Sequence, residues 1–191
     1  MFEDLAKCML CPERQFARVP VPGIGDIKTK IVLLGRNPGV NEDKQGVPFI
    51  GRAGGRLNEG CVLAGLLRRS CWVTNVSKCM TPTQRTPSKE CRTTCVKQWL
   101  IPELREIDPE VILTLGNEAL QVFEIFGRVG ELHGTIFMTD KIWGPGRVQL
   151  FVSYHPSAAL RSKSIYDLYR KDMIEFGKWL RENGYTKDGS A

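Results

Sequence analysis

Four short apolar segments, each followed by a stretch of helical periodicity, are the feature that most limits how this chain can fold. They are rich in valine, isoleucine and leucine, which is typical of strands buried on both faces of a parallel sheet. The segments span residues 31–34, 72–76, 111–115 and 148–153, and the helical stretches span residues 53–67, 88–107, 117–126 and 163–182. This alternation predicts an α/β fold: a three-layer α/β/α sandwich with a central four-stranded, mostly parallel sheet.

The segments between these elements predict loops and ends. Residues 1–29 are irregular, residues 127–146 are glycine-rich and predict a loop with a weak hairpin, and residues 184–191 predict a loose tail. Within the second helical stretch, Ser88 is a suitable N-cap and Pro102 predicts a kink. Because there is no internal repeat and no long linker, a single domain over residues 1–191 is expected.

The topology also predicts where a site forms. In sheets of this type, sites lie beyond the carboxyl ends of the strands. The segments that fall there are residues 35–39, 75–79 and 155–161. They carry asparagine, histidine, arginine and lysine, so this edge is the expected functional edge.

Charge and hydropathy bear on the partner and the location of the protein. The chain has 27 Lys+Arg and 21 Asp+Glu, a formal net charge of +6. This excess is compatible with a polyanionic partner such as nucleic acid, although solubility alone also accounts for such a charge. No run approaches the roughly 18 to 20 apolar residues of a membrane helix, and the acidic start lacks the apolar region of a signal peptide. An intracellular protein, in the cytoplasm or nucleoid, is therefore expected, with no membrane partner.

Seven cysteines indicate either buried thiols or metal ligands, because an intracellular setting disfavours structural disulfides. Cys8 and Cys11 form a Cys-x-x-Cys pair, and Cys79 and Cys95 are two further candidates. Four such thiolates can hold an iron–sulfur cluster or Zn²⁺. Cys91 lies four residues before Cys95 on the same helical face and is an alternative ligand. The remaining two, Cys61 and Cys71, fit apolar core patterns.

Three blocks of sequence resemble the motifs of the uracil-DNA glycosylase superfamily, most closely those of its iron–sulfur family 4. Residues 35–43 with 46–54 resemble the first motif, residues 74–79 the second and residues 155–161 the last. Their order and separation agree with the family, and the resemblance extends over about residues 8–170. It implies a monofunctional DNA glycosylase that flips uracil out of DNA, hydrolyses its N-glycosidic bond and leaves an abasic site. No lysine stands where a Schiff-base nucleophile is expected.

The resemblance also implies a ligand set and a cofactor. The family has two ligands near the N-terminus, a third after the asparagine-containing strand and a fourth sixteen residues further on, which corresponds to Cys8, Cys11, Cys79 and Cys95. The implied cofactor is a [4Fe-4S] cluster with a structural role. It would tie down the loop around residues 80–95.

The same resemblance assigns roles at the base. Phe49 stacks on the flipped uracil, and the Asn75 amide reads uracil O4 and N3–H, since an amide both donates and accepts. His155 donates to O2 as the uracil anion leaves. Gly35 and Arg36, which open the first motif, belong with the substrate-binding residues.

The first motif departs from the family. Where family 4 has Gly-Glu-(Ala or Gly)-Pro-Gly, this chain has Arg36 and Asn37 in the second and third positions. Asn37 resembles the mismatch-directed and single-strand-selective branches, in which asparagine positions the attacking water. Arg36 is expected to favour the uracil anion or to contact a phosphate. Glu42 matches an acidic family position and is expected to assist the water or the oxocarbenium-like sugar.

DNA is the implied partner, single- or double-stranded, and a monomer is expected; the sequence does not reveal a replication-clamp or repair partner. Residues expected to contact DNA are Ser157, Leu160, Arg161, Arg52 and Lys78, with Leu160 or Arg161 filling or bracing the gap left by the flipped base.

Alternatives of two kinds, with and without nucleic acid as partner, stay open at this point. One is a uracil-DNA or DNA-binding module with weak or no catalysis, or a glycosylase of wider range that also accepts hypoxanthine or mismatched thymine. The other is a zinc-stabilised α/β domain without nucleic-acid function.

Overall fold

A six-stranded mixed sheet forms the centre of the molecule. The structure, a computed structural model, describes residues 2–186. The strands are β1 (Ile24–Gly25), β2 (Ile31–Gly35), β3 (Trp72–Asn75), β4 (Val111–Leu115), β5 (Ile136–Asp140) and β6 (Arg147–Ser153). They lie in the order β1-β3-β2-β4-β6-β5, and β3, β2, β4 and β6 are parallel. These four are the strands that the sequence predicts.

The two additional strands are antiparallel edges. β1 pairs with β3, and β5 pairs with β6. β1 has only two residues, and β5 alternates between exposed and half-buried positions. Neither has the continuous apolar run of a central strand, so periodicity did not identify them. The weak hairpin predicted over residues 127–146 is instead the β5–β6 pair.

The helices flank the sheet on both faces. They are α1 (Phe2–Ala6), α2 (Val40–Gln45), α3 (Arg52–Leu63), α4 (Lys89–Cys95), α5 (Ile101–Ile107), α6 (Asn117–Gln121), α7 (Val129–Leu132), α8 (Pro156–Ala159) and α9 (Lys163–Glu182). A π-helical segment, Val96–Leu100, joins α4 to α5, and 3₁₀ turns occur at Pro12–Phe16, Arg68–Ser70 and Pro82–Gln84.

Several helix boundaries differ from the sequence prediction. α3 ends earlier because Gly65 adopts φ +68°, and the Leu66 amide then donates to Cys61 O, as in a Schellman cap. The helical stretch predicted over residues 117–126 stops at Gln121, before Glu124 at φ +56°. The predicted kink at Pro102 takes the form of the π-helical segment, which accommodates the missing amide donor.

Two apolar cores lie on opposite faces of the sheet. On one face, Leu33, Leu113 and Phe151 pack against α3 and α9. On the other, Leu34 and Ile112 pack, among others, against Leu100 and Leu104, on the π-helical segment and α5. Successive side chains along each strand therefore pack into the cores on opposite faces of the sheet. This confirms the predicted three-layer α/β/α sandwich.

The last helix and the chain after it complete the first of these cores. α9 buries Tyr169, Met173, Phe176 and Leu180, which recur at helical spacing. Beyond it, Tyr185 stacks on Trp179 with ring centroids 5.6 Å apart, so the chain is still packed against the domain at residue 185. The rest of the predicted loose tail, residues 187–191, lies outside the described residues.

Candidate active site

A cavity of 510 Å³ opens at the carboxyl edge of the parallel strands. β2 and β3 end side by side there, with Gly35 paired to Asn75, and His155 follows the end of β6. The predicted residues that line the cavity are Arg36, Asn37, Glu42, Phe49, Arg52, Asn75, His155, Ser157, Leu160 and Arg161. The topology thus brings together segments that are more than 100 residues apart in sequence.

His155 presents an uncharged imidazole to the cavity. It is the N-cap of α8, and its Nδ1 accepts the Ser157 backbone N–H at 3.1 Å. Because Nδ1 is an acceptor, the ring hydrogen of the neutral form belongs on Nε2. Burial, together with the positive charges of Arg36 and Arg161, lowers the pKa of His155 to about 3. His155 is therefore a neutral donor through Nε2 at physiological pH.

Phe49 forms an apolar wall beside this histidine. Its ring is buried, and its centroid lies 5.7 Å from that of His155 at an interplanar angle of 28°. Phe49 adopts φ +54°, a costly conformation for an aromatic residue. Gly35 makes room for it, because a Cβ at position 35 would lie 2.4 Å from Phe49 Cζ and 2.6 Å from Asn75 Oδ1. Gly35 thus shapes the cavity rather than supplying a binding group.

Asn75 offers an unused acceptor at the same place. The residue is 3% exposed, and its Oδ1 is buried without a hydrogen-bond partner among the described residues. A buried amide oxygen without a partner is unfavourable, since it has lost its contact with water. A ligand N–H that reached Oδ1 would remove this cost.

The Glu42 carboxylate is occupied by backbone amides of its own motif. Oε2 accepts from Gly39 N at 3.1 Å, and Oε1 accepts from Ile50 N at 3.0 Å and Gly51 N at 2.8 Å. Glu42 therefore ties the first half of the motif to the second and holds Phe49 between them. This geometry favours an organising role over the predicted direct action on water or sugar, because three backbone amides already engage most of the carboxylate lone pairs.

Asn37 is held at both ends of its amide. Nδ2 donates to Pro38 O at 2.9 Å, and Oδ1 accepts from Arg36 Nε at 2.7 Å. The Arg36 guanidinium also donates to Thr86 Oγ1 at 3.3 Å and lies 4.0 Å from the Glu118 carboxylate. Sequence reasoning did not identify Thr86 or Glu118, because they come from other segments and carry no motif.

Lys78 does not reach the surface, so its predicted role as a phosphate contact is wrong for this structure. The residue is 1% exposed and forms an ion pair with Glu103. Its Nζ also donates to Thr74 Oγ1 at 2.7 Å and to the Asn75 backbone oxygen at 3.0 Å. Lys78 thus braces the end of β3 that carries Asn75. The sequence contains one indication of this ion pair, because Glu103 is an acidic residue on the apolar face of α5.

The rim of the cavity carries the other predicted DNA-contacting side chains. Arg52 begins α3 and Arg161 follows α8, and both are exposed. Ser157 and Leu160 are half-buried next to His155. All four side chains line the cavity together with His155.

A second cluster, of cysteine thiols, lies beside this edge. All seven cysteines are free, and Cys11 Sγ lies 3.4 Å from Cys91 Sγ. Burial, together with the neighbouring Cys95, Cys11 and Cys8, raises the pKa of Cys79 to about 12. A hydrogen bond from Cys91 lowers the pKa of Cys95 to about 7. The four predicted ligands and Cys91 therefore lie in one region, where they affect one another's pKa, and such soft donors fit an iron–sulfur cluster or Zn²⁺.

The geometry leaves both Cys91 and Cys95 within reach of the other thiols. Cys11 Sγ, Cys91 Sγ and a carboxylate oxygen of Glu13 lie within 4.8 Å of one another, which makes Glu13 a further potential ligand that the sequence did not suggest. Glu13 also accepts from Ser88 N at 2.8 Å, and this bond joins the N-terminal segment to the start of α4. In the described part of the chain, no helix is long and apolar enough to cross a membrane.

Comparison with known proteins agrees with this geometry. The family model of the uracil DNA glycosylase superfamily matches residues 22–181. The type-4 uracil-DNA glycosylase of Pyrobaculum aerophilum is 33% identical over 92% of this chain and 91% of that protein. The type-4 enzyme of Thermotoga maritima is 36% identical over 85% of this chain and 82% of its own. This chain therefore belongs to the uracil-DNA glycosylase superfamily.

Proposed function

We propose that this protein is a monofunctional uracil-DNA glycosylase, which flips uracil from deaminated DNA and hydrolyses its N-glycosidic bond to leave an abasic site. The observation that carries the proposal is a pair of complementary groups beside Phe49. His155 offers a donor from Nε2, and Asn75 offers a buried acceptor that has no partner in the described part of the chain. Uracil has an acceptor at O2 and a donor at N3, so it matches both groups.

His155 and Asn75 together determine which base is accepted and how fast its glycosidic bond breaks. The Asn75 oxygen accepts uracil N3–H, whereas cytosine has no hydrogen on N3 and would leave that oxygen unpaired. When the C1′–N1 bond breaks, its electron pair passes to N1 and is delocalised onto O2. The His155 hydrogen bond to O2 strengthens as this charge develops, so it lowers the barrier more than it tightens ground-state binding.

Water completes the reaction at the sugar. Its oxygen bonds to C1′ and its proton is released, which yields the abasic site and, after protonation of the anion, free uracil. The Asn37 amide oxygen is the group proposed to orient this water, and Glu42 holds the motif around it. Neither is required to act as a strong base, because the oxocarbenium-like sugar is highly electrophilic.

DNA contacts are proposed for the residues at the rim. The Ser157 hydroxyl and the Arg52 and Arg161 side chains neutralise phosphates on either side of the flipped nucleotide, and Leu160 or Arg161 occupies the gap in the duplex. Because one chain supplies every group at the cavity, the protein is proposed to act as a monomer.

A [4Fe-4S] cluster is proposed as a structural cofactor, held by Cys8, Cys11, Cys79 and Cys95. When bound, it would link the N-terminal segment, the segment after β3 and α4. That linkage would support the loop of residues 80–88, whose Thr86 accepts a hydrogen bond from Arg36 at the cavity.

The test is base release by iron-loaded protein from matched oligonucleotides: single-stranded U, U·G, U·A, T·G and hypoxanthine·T, each with alkali treatment to reveal abasic sites. We expect strand breaks at uracil only after alkali. Cleavage without alkali would contradict monofunctional chemistry, and release of hypoxanthine or thymine would assign a wider range.

One observation favours a second candidate, a uracil-DNA-binding module with weak catalysis. Arg36 Nε already occupies one lone pair of the Asn37 oxygen, which reduces its capacity to hold water. Tight binding of uracil-containing DNA without base release, by protein that retains its iron, would favour this alternative.

A further inference from the structure

We propose that Arg36 is a positioning residue that acts through Asn37. It fixes the Asn37 amide so that one Oδ1 lone pair remains directed to the attacking water. This inference rests on the proposed glycosylase function and names a role for a residue that the family pattern does not supply. The alternative roles, stabilisation of the uracil anion by charge and contact with a phosphate, make different predictions.

The hydrogen bonds of Asn37 determine which way its amide faces. Pro38 O can only accept, so the atom 2.9 Å from it must be Nδ2. Arg36 Nε can only donate, so the atom 2.7 Å from it must be Oδ1. An amide held at both ends can neither flip nor rotate without losing a bond. Among the described residues, Arg36 Nε is the donor to Oδ1, which leaves the second Oδ1 lone pair available for water.

Arg36 is itself braced by two other segments. The same guanidinium donates to Thr86 Oγ1 at 3.3 Å, and Thr86 Oγ1 donates in turn to Glu118 Oε1 at 3.1 Å. Glu118 lies 4.0 Å from Arg36 and offsets part of its charge. The guanidinium thus faces Asn37, Thr86 and Glu118. This arrangement argues against contact with a phosphate as the main role of Arg36.

Arginine is the residue type that this role needs. Its planar group presents Nε and the terminal nitrogens in a fixed fork, so one side chain bonds Asn37 and Thr86 together. Lysine keeps the charge but is a point donor without the fork. Arg36→Lys therefore separates position from charge, and Arg36→Gln removes both.

The kinetic test compares Arg36→Lys, Arg36→Gln and Asn37→Ala with the wild type in single-turnover uracil release, together with the double variant Arg36→Lys/Asn37→Ala. We expect Arg36→Lys to slow release by about 10-fold or more with an unchanged Kd for uracil-containing DNA, because small displacements of a reacting group are costly. In the Asn37→Ala background, Arg36→Lys should have no further effect. Arg147→Lys, a conservative change at the opposite end of the sheet, is the matched control.

Two kinetic results would overturn the proposal. Wild-type release by Arg36→Lys with slow release by Arg36→Gln would assign the role to charge. A weaker Kd and a smaller salt dependence of binding in Arg36→Gln, with both preserved in Arg36→Lys, would assign it to a phosphate contact, because lysine keeps the charge. Either result leaves the glycosylase function intact.

A spectroscopic test does not depend on turnover. In ¹⁵N-labelled protein, the Arg36 Nε–H resonance should shift or broaden by exchange in Asn37→Ala, which removes its acceptor, whereas the Arg147 Nε–H resonance should not change. An unaltered Arg36 resonance would refute the contact in solution. If the wild type releases no uracil, the proposed function fails, and this measurement still decides whether Arg36 holds Asn37.

Discussion

His155 is the single residue whose chemistry depends most on its surroundings. Its pKa, about 3, lies below the ordinary value of 6.5 because the half-buried residue is partly shielded from water and lies near two arginines. The ring therefore stays neutral when pH falls from 8 to 5, and Nε2 remains a donor. We expect the single-turnover rate constant of uracil release to show no inflection near pH 6.5 that depends on His155.

The low pKa of His155 in the folded protein also makes the free energy of unfolding depend on pH. The unfolded chain protonates this histidine below about pH 6.5, whereas the folded chain does not. The stabilising contribution of the neutral ring is therefore complete above pH 6.5 and is lost as pH falls towards 3.

Rates measured from pH 5 to 8 for wild type and His155→Gln check the kinetic prediction. An acidic limb near pH 6.5 that is present only in the wild type would contradict it.

For single residues, the sequence indicated which of them form the site better than it indicated what surrounds each of them. The motifs led to Phe49, Asn75 and His155, because aromatic, amide and imidazole groups have few roles at strand ends. They did not indicate that Lys78 is buried, since a lysine after a strand gives no sign of a carboxylate that comes from α5. Nor did they show that Arg36 bonds Asn37, because that contact depends on side-chain rotamers.

Among the elements, the region that most needs a test is α4, which carries both Cys91 and Cys95. The family spacing favours Cys95 as the fourth ligand, whereas Cys91 Sγ is 3.4 Å from Cys11 Sγ. We expect Cys95→Ser to lose iron, acid-labile sulfide and brown colour on purification, and Cys91→Ser to retain them. Cys61→Ala, on the buried side of α3, is the control that removes a buried thiol elsewhere. Loss of iron from Cys91→Ser alone would reverse the assignment.

Element prediction succeeded where burial is uniform and failed where it is mixed. The four central strands are fully buried or nearly so, and α9 has a regular apolar stripe, so periodicity found them. α2 was missed because two of its six residues, Glu42 and Asp43, are buried acids and leave no apolar face. Their stabilisation comes from backbone amides of distant residues, such as Arg18 N on Asp43 Oδ1, which no local pattern encodes.

For the molecule as a whole, the question is whether DNA is attracted by net charge or by particular side chains. The net charge of +6 acts over the entire surface, whereas Arg52 and Arg161 stand at the cavity rim. If each contacts a phosphate, then Arg52→Ala and Arg161→Ala should each reduce the slope of log Kobs against log salt by about 0.9 on duplex DNA. Binding is measured with a non-hydrolysable 2′-fluorinated deoxyuridine, so that turnover does not consume the site.

Arg147→Ala is the matched control, because it removes the same charge at the start of β6, whereas His155 follows the end of that strand. A seven-residue strand separates the two ends by roughly 20 Å, which is twice the Debye length at about 0.1 M salt. Arg147 should therefore change the slope little if binding is local. Equal effects of all three variants would mean that net charge alone governs affinity, and the rim residues would then lose their proposed role while the chemistry at His155 and Asn75 would not.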